Sequence, residues 1–311
     1  MSNKIISFVI PSLNEEDTIG ELLDSINRNT YRRREVIVVD GGSNDKTVEI
    51  AKTKGARVIK ETGSFKCPAN ALNVGTRHTK GDIICIVGSD FLVPDKNFAS
   101  VCVKAFDDET SAIYTKYRTE HSNVVEKIVS SRYGMSTNPT CVRRDVYLGA
   151  GSYPVIGVSE DSIFTLRVRK YSELHGLKEK FISSTFYSGH AVKTLGELFK
   201  QARWYGRTSV LFLREYYKET KSVFSLLKQT ISINLRMIYF LSLLLSLLFY
   251  NSQFFVYPFL VFTFLFFITL LKNLKNHYNM LKVLTNLIFG LGFFVGLVSY
   301  LSGINRSRSR G

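Results

Sequence analysis

Residues 5–10 form an apolar run closed by Pro11, which predicts a strand buried on both faces inside a parallel sheet. Ile19, Leu22, Leu23 and Ile26 then recur at helical spacing and give the next segment one apolar face. A second strand is predicted over 35–39 and ends in Asp40-Gly41-Gly42-Ser43. A helix over 45–54, a short strand over 56–59, a helix over 68–79 and a strand over 83–87 continue the alternation. Strands alternating with helices imply an α/β domain, a mostly parallel sheet with helices on both faces. After Asp90 the rhythm loosens: a helix over 95–105, a strand over 111–116, a less regular stretch with mixed strands to Tyr153, a helix over 162–170 and a strand over 181–187.

The pattern changes beyond residue 190. Over 191–230 it is amphipathic, with Leu195, Leu198, Phe199, Trp204, Tyr205, Leu211 and Leu213 set among Lys and Arg, as in a helix lying in a membrane interface. Three apolar stretches follow, 231–250, 254–271 and 283–301, each near the ~20 residues a spanning helix needs. They predict transmembrane helices. Lys272, Lys275 and Lys282 lie between the second and third, and the positive-inside rule puts them on the cytosolic side with the amino-terminal domain. Three spans would send Arg306, Arg308 and Arg310 to the far side, against that rule, while Gly290, Gly292 and Gly296 allow a re-entrant or interfacial third segment. Two to three spans are therefore expected. No leader-like segment precedes the first strand, so the domain is expected in the cytosol. The expected divisions are 1–190, a catalytic domain; 191–230, interface helices; 231–303, the membrane region; and 304–311, a basic tail.

Charge adds one point. The chain carries a formal +15, but residues 231–311 hold seven Lys or Arg and no Asp or Glu, so much of the excess sits at the membrane. No stripe of Lys or Arg interleaved with stacking aromatics marks the soluble part, which argues against nucleic-acid binding. Cys67, Cys85, Cys102 and Cys141 have neither metal-type spacing nor a pairing signal and are expected to be reduced, structural thiols.

Unusual residues gather at predicted strand ends, where open α/β sheets bind ligands. Asp40 either caps its own turn or accepts hydrogen bonds from a nucleobase edge that the adjacent glycines let approach. Asp90, after Gly88-Ser89, poses a similar choice, with divalent-metal ligation as the functional option. Glu160-Asp161 is either an acidic helix start or holds a general base. Arg203 and Arg207 lie one helical turn apart and suit phosphate or lipid headgroups.

Together these segments resemble family 2 glycosyltransferases of GT-A fold, particularly membrane-attached bacterial and archaeal members. The resemblance covers about residues 5–207 and is carried by residues 9–15, residues 38–45, Asn73-Val74-Gly75, Lys80-Gly81-Asp82, Gly88-Ser89-Asp90, Glu160-Asp161 and residues 201–207. It implies that Pro11, Ser12, Asn14, Glu15 and Ser89 line a nucleotide and that Asp40 contacts its base. It implies Asp161 as catalytic base with Glu160 placing the acceptor, and Asp90 with His190 as ligands of Mg²⁺ or Mn²⁺. Gln201, Arg203, Trp204 and Arg207 would close over the donor diphosphate and acceptor. Gly88 departs from the pattern, standing where the family usually has the first Asp of its metal motif, and Leu72 stands where many members have Arg. The implied activity is inverting transfer from a UDP- or GDP-sugar to a membrane-associated acceptor, a polyprenyl phosphate or glycolipid, by a membrane protein; a homo-oligomer is among the arrangements expected. A processive polysaccharide synthase and a non-catalytic nucleotide-binding membrane module are the alternatives.

Overall fold

The computed structural model describes residues 4–63, 65–93, 95–119, 140–188, 194–248, 256–271 and 279–302. These divide into two compact units, 4–188 and 194–302.

In the first unit the strands are β1 (Ile6–Ser12), β2 (Arg34–Asp40), β3 (Arg57–Lys60), β4 (Ile83–Ile86), β5 (Phe91–Leu92), β6 (Thr110–Thr119), β7 (Cys141–Arg143) and β8 (Lys178–Ser188). They form one sheet in the order β3-β2-β1-β4-β7-β6-β8-β5. β3, β2, β1 and β4 run parallel to one another, whereas β7 is antiparallel to both β4 and β6, so the alternating amino-terminal half builds the parallel part. The helices are α1 (Ile19–Asn27), α2 (Thr47–Thr53), α3 (Pro68–Arg77), α4 (Phe98–Ala105), α5 (Arg144–Gly149) and α6 (Glu160–Leu174).

Successive side chains of a strand point to opposite faces. Ile6, Phe8 and Ile10 accordingly enter one core with Ile19, Leu22, Leu23 and Ile26 of α1 and Phe98 and Cys102 of α4. On the other face α3 lies against β1 and β2, and Gly75 makes that approach possible. A Cβ there would fall 2.5 Å from Val9 Cγ1 and 2.8 Å from Val39 Cγ2. Gly75→Ala is expected to cost about 1–3 kcal/mol by overpacking, read as a lower urea midpoint for the full chain in detergent.

The second unit holds α7 (Leu195–Thr220), α8 (Val223–Leu248), α9 (Val256–Leu271) and α10 (Asn279–Leu301). α7 is amphipathic as expected, but its buried stripe meets protein. Leu198 and Ala202 pack with Phe289 and Phe293 of α10. Added Cβ atoms at Gly206 and Gly296 would collide with the carbonyls of Phe293 and Arg203 respectively, so the two backbones touch. Gly290, Gly292 and Gly296, which left a re-entrant or interfacial third segment open, sit in a continuous helix, and Gly292 and Gly296 permit this close contact, as small residues do between membrane helices. Among the described residues one helix is long and apolar enough to cross a membrane, through Leu284–Leu301, and Val256–Leu265 is a shorter apolar helix. Among the described residues that measure identifies one of the expected two to three candidate spans.

Candidate active site

A cavity of about 510 Å³ opens at the carboxyl ends of β1–β4. Pro11 to Glu15 line it after β1, Gly41 after β2, Glu61 after β3 and Gly88-Ser89-Asp90 after β4, while Lys66, Cys67, Pro68 and Ala71 close it at the start of α3. This is where parallel α/β sheets bind ligands.

Two interlocked loops build its floor. Asn14 sits at φ +54° and its side-chain Oδ1 accepts from Asn44 N–H at 2.9 Å, while its own N–H donates to Ser43 Oγ at 2.9 Å. Glu15 N–H donates to Thr47 Oγ1 at 2.7 Å, and Glu15 Oε2 accepts from Thr18 Oγ1 at 2.9 Å. The Asp40 carboxylate accepts from Gly42 N–H and Ser43 N–H, each at 3.0 Å, and from Ser43 Oγ at 2.6 Å. Of the two options open for Asp40, the structure displays the turn cap: Gly41, not Asp40, lines the cavity. Pro11, Ser12, Asn14, Glu15 and Ser89 do line it. Ser12 Oγ is buried there with no hydrogen-bond partner among the described residues, a cost that a ligand donor or acceptor would relieve.

Two charged residues between β3 and α3 join this wall. Glu61 is 5% exposed, and its Oε1 accepts from Cys67 N–H at 3.1 Å and Asn70 Nδ2 at 2.7 Å. Burial pushes its carboxyl above the usual carboxylate range, partly opposed by those two hydrogen bonds. Lys66 Nζ donates to Gly41 O at 2.7 Å, bringing a cation to the cavity. The available signal was position: both lie between a strand's carboxyl end and a Pro-started helix.

Gly88 explains its own departure from the family pattern. A Cβ there would lie 2.6 Å from the Phe91 ring and 2.7 Å from Asp90 Oδ1, so a side chain at this position requires Phe91 and Asp90 to shift. Asp90 and Ser89 offer hard oxygen donors at the cavity wall, which suits an ion that completes its shell with substrate oxygens. Among the described residues no group of three acidic, His or Cys side chains is placed to hold a metal unaided. Gly88→Asp is expected to displace Asp90 instead of restoring a second ligand, weakening nucleotide binding in Mn²⁺ about tenfold by calorimetry.

Glu160 and Asp161 open α6 after a loop bent through left-handed backbone at Gly151, Ser152, Gly157 and Ser159. Ser159, at φ +50°, is costly for a non-glycine residue, and such strain clusters at functional sites. Asn73 of α3 fixes the loop: Nδ2 donates to Tyr153 O at 2.8 Å, and Oδ1 accepts from Tyr147 OH at 2.9 Å and Tyr153 N–H at 3.0 Å. Tyr153 stacks on Phe164 of α6 at 4.1 Å, carrying that anchorage to the helix. Burial pushes the Cys67 thiol up to about 12, with backbone hydrogen bonds opposing the rise and the charges of Glu160 and Glu61 adding to it. Asp161 Oδ1 accepts its neighbour Ser162 N–H at 2.7 Å. Neither acid lines the cavity itself.

His190 lies outside the described residues. Gln201, Arg203, Trp204 and Arg207 belong to the second unit, on α7, with Trp204 buried, Arg203 exposed and the other two half-buried. Burial, then the charge of Arg203, lowers the Arg207 guanidinium. All four cysteines are free and buried, and burial raises their thiols.

Residues 7–158 match the model of glycosyl transferase family 2. The poly-beta-1,6-N-acetyl-D-glucosamine synthase of Staphylococcus aureus is 24% identical over 245 residues, 70% of this chain and 58% of that protein. The chain thus spans little more than half of that relative's length. Glucosyl-3-phosphoglycerate synthase from Mycobacterium tuberculosis, solved with Mn²⁺, UDP and glucosyl-3-phosphoglycerate, superposes with a TM-score of 0.52 at 21% identity, covering 68% of this chain and 80% of its own. A mannosyltransferase from Pyrobaculum calidifontis, solved with GDP-Man and Mn²⁺, gives 0.60 at 15% identity, covering 97% and 88%. The first unit has the GT-A fold, and residues 7–158, just under half of the chain, match glycosyl transferase family 2.

Proposed function

We propose that the chain transfers a sugar, with inversion, from a nucleoside-diphosphate donor to a membrane-associated acceptor, a polyprenyl phosphate or glycolipid. The observation that carries this is the cavity at the strand ends, with Ser12, Lys66 and Asp90 around one space of nucleotide size in a family 2 domain. Lys66 supplies positive charge at the β2 end of the cavity, and Ser12 and Ser89 supply hydroxyls. Asp90 would hold Mg²⁺ or Mn²⁺ together with the donor's phosphate oxygens, and the ion would neutralise charge on the departing diphosphate. Asp161 takes the proton of an acceptor hydroxyl, with Glu160 positioning the acceptor. Gln201, Arg203, Trp204 and Arg207 are assigned to the diphosphate and acceptor, and His190 to the metal.

Membrane attachment through the second unit is part of the same proposal. α9 exposes Val256, Tyr257, Leu260 and Phe264, each more than half accessible, and α10 carries a segment apolar enough to span. Such contiguous apolar exposure belongs against lipid or protein. The catalytic domain would then be cytoplasmic, and self-association would add to the apolar burial.

Nucleotide release from UDP- and GDP-sugars by detergent-purified protein tests this, with and without Mn²⁺ and polyprenyl phosphate. Acceptor-dependent release supports the transferase; nucleotide binding without release supports the non-catalytic nucleotide-binding module, and neither binding nor release removes both. Similarity to a polymer synthase favours one rival, processive synthesis. Product length separates the two, since a single-sugar adduct excludes a processive enzyme.

A further inference from the structure

We infer that Glu61 reads the donor's nucleobase and selects uracil or guanine, whose ring edge presents an N–H, over cytosine or adenine, whose equivalent ring nitrogen is an acceptor. This rests on the reading of the strand-end cavity as the nucleotide site.

The strand order fixes which end of that cavity receives the base. Asp90 follows β4, and Glu61 follows β3 at the opposite end of the run β3-β2-β1-β4, three strand spacings of about 4.8 Å away. A nucleoside diphosphate with its phosphates toward Asp90 therefore lays its base toward β2 and β3. The carboxylate expected to meet it there, Asp40, holds three hydrogen bonds within its own turn and leaves Gly41 at the wall. Glu61 Oε2 stands 3.4 Å from where a Cβ of Gly41 would be, so a carboxylate oxygen from β3 occupies the space a side chain on β2 would have filled.

The two oxygens of Glu61 are not equivalent. Oε1 is held by Cys67 N–H and Asn70 Nδ2, whereas Oε2 accepts no hydrogen bond among the described residues. A carboxylate oxygen accepts and cannot donate when ionised. It pairs with the N3–H of uracil or the N1–H of guanine and confronts the lone pair of cytosine N3 or adenine N1. A buried site built to receive an N–H discriminates strongly against a base lacking it.

The same asymmetry gives a variant with an inverted readout. In Glu61→Gln the two donors keep the amide oxygen at the Oε1 position, so the NH₂ takes the place of Oε2. An acceptor becomes a donor without loss of the loop's anchorage. Calorimetric titration of UDP, GDP and CDP into the full chain in detergent with Mn²⁺ is expected to show UDP or GDP binding about tenfold or more tighter than CDP. In Glu61→Gln that preference should shrink about tenfold or reverse toward CDP, with an unchanged urea midpoint. Equal weakening of all three nucleotides, or no change, would overturn the inference and leave Glu61 as a loop anchor. If the variant fails to fold, the wild-type ratio decides, and CDP binding as tight as the tighter of UDP and GDP sinks the idea. Wild-type protein that binds none of the three removes the nucleotide-site reading itself, and this inference with it.

Discussion

Acceptor-dependent nucleotide release is expected to fall about 10²–10³-fold in Asp90→Ala, the scale of removing one preorganised charge interaction from a developing leaving group. The loss should appear in turnover more than in stability. Asp90 is half-buried in the loop after β4, outside the hydrophobic core, so truncating it removes no core packing. Urea midpoints of variant and wild type should therefore agree. Raising Mn²⁺ should not rescue the variant, because no group of three ligands stands by among the described residues. Asp40→Ala makes the contrasting control: its carboxylate carries the three hydrogen bonds of the turn after β2, so its loss should lower the midpoint first. Wild-type release by Asp90→Ala would take the metal role away from this residue.

The parallel half of the sheet was legible because its strands and helices are short, strictly alternating and punctuated. The run at residues 5–10 and the spacing of Ile19, Leu22, Leu23 and Ile26 became β1 and the buried face of α1, with boundaries off by one or two residues. Strand ends in such a sheet converge, so Ser12, Ser89 and Asp90 could be named without coordinates. Asp40 could not be resolved, because an Asp-Gly turn and a base-reading carboxylate have the same sequence; only the positions of Gly42 and Ser43 distinguish them. Glu61 and Lys66 were hidden for a related reason: charged loop residues are usually solvated, and burial of Glu61 depends on Cys67 and Asn70 folding back over it. In the second unit hydropathy identified apolar helices but not their partners. The pattern of α7 suits a lipid interface and a protein groove equally, and the contact with α10 is decided by Gly206 and Gly296, which a hydropathy profile scores as neutral.

Asp161→Asn is expected to separate the two classes of acceptor. With an alcohol as nucleophile, a general base is worth about 10²–10⁴-fold, and kcat should fall by that amount while donor KM changes little. With a phosphate monoester as nucleophile the attacking oxygen is already ionised at neutral pH, so the same variant should lose only the positioning contribution and retain most of its turnover. Folding should be unaffected in either case. Asn keeps an acceptor oxygen for the hydrogen bond from Ser162 N–H, and the strained approach to α6 is held from elsewhere, by Asn73 and the Tyr153–Phe164 stack. The measurement is a pair of kcat and KM determinations for wild type and variant, with a glycolipid and with polyprenyl phosphate as acceptors. A large kcat loss on the glycolipid alone identifies Asp161 as a base that a phosphate acceptor does not require. Undiminished turnover on both would remove the proton-transfer role and leave the first turn of α6 as an acceptor-positioning element, with Glu160 as the next carboxylate to replace.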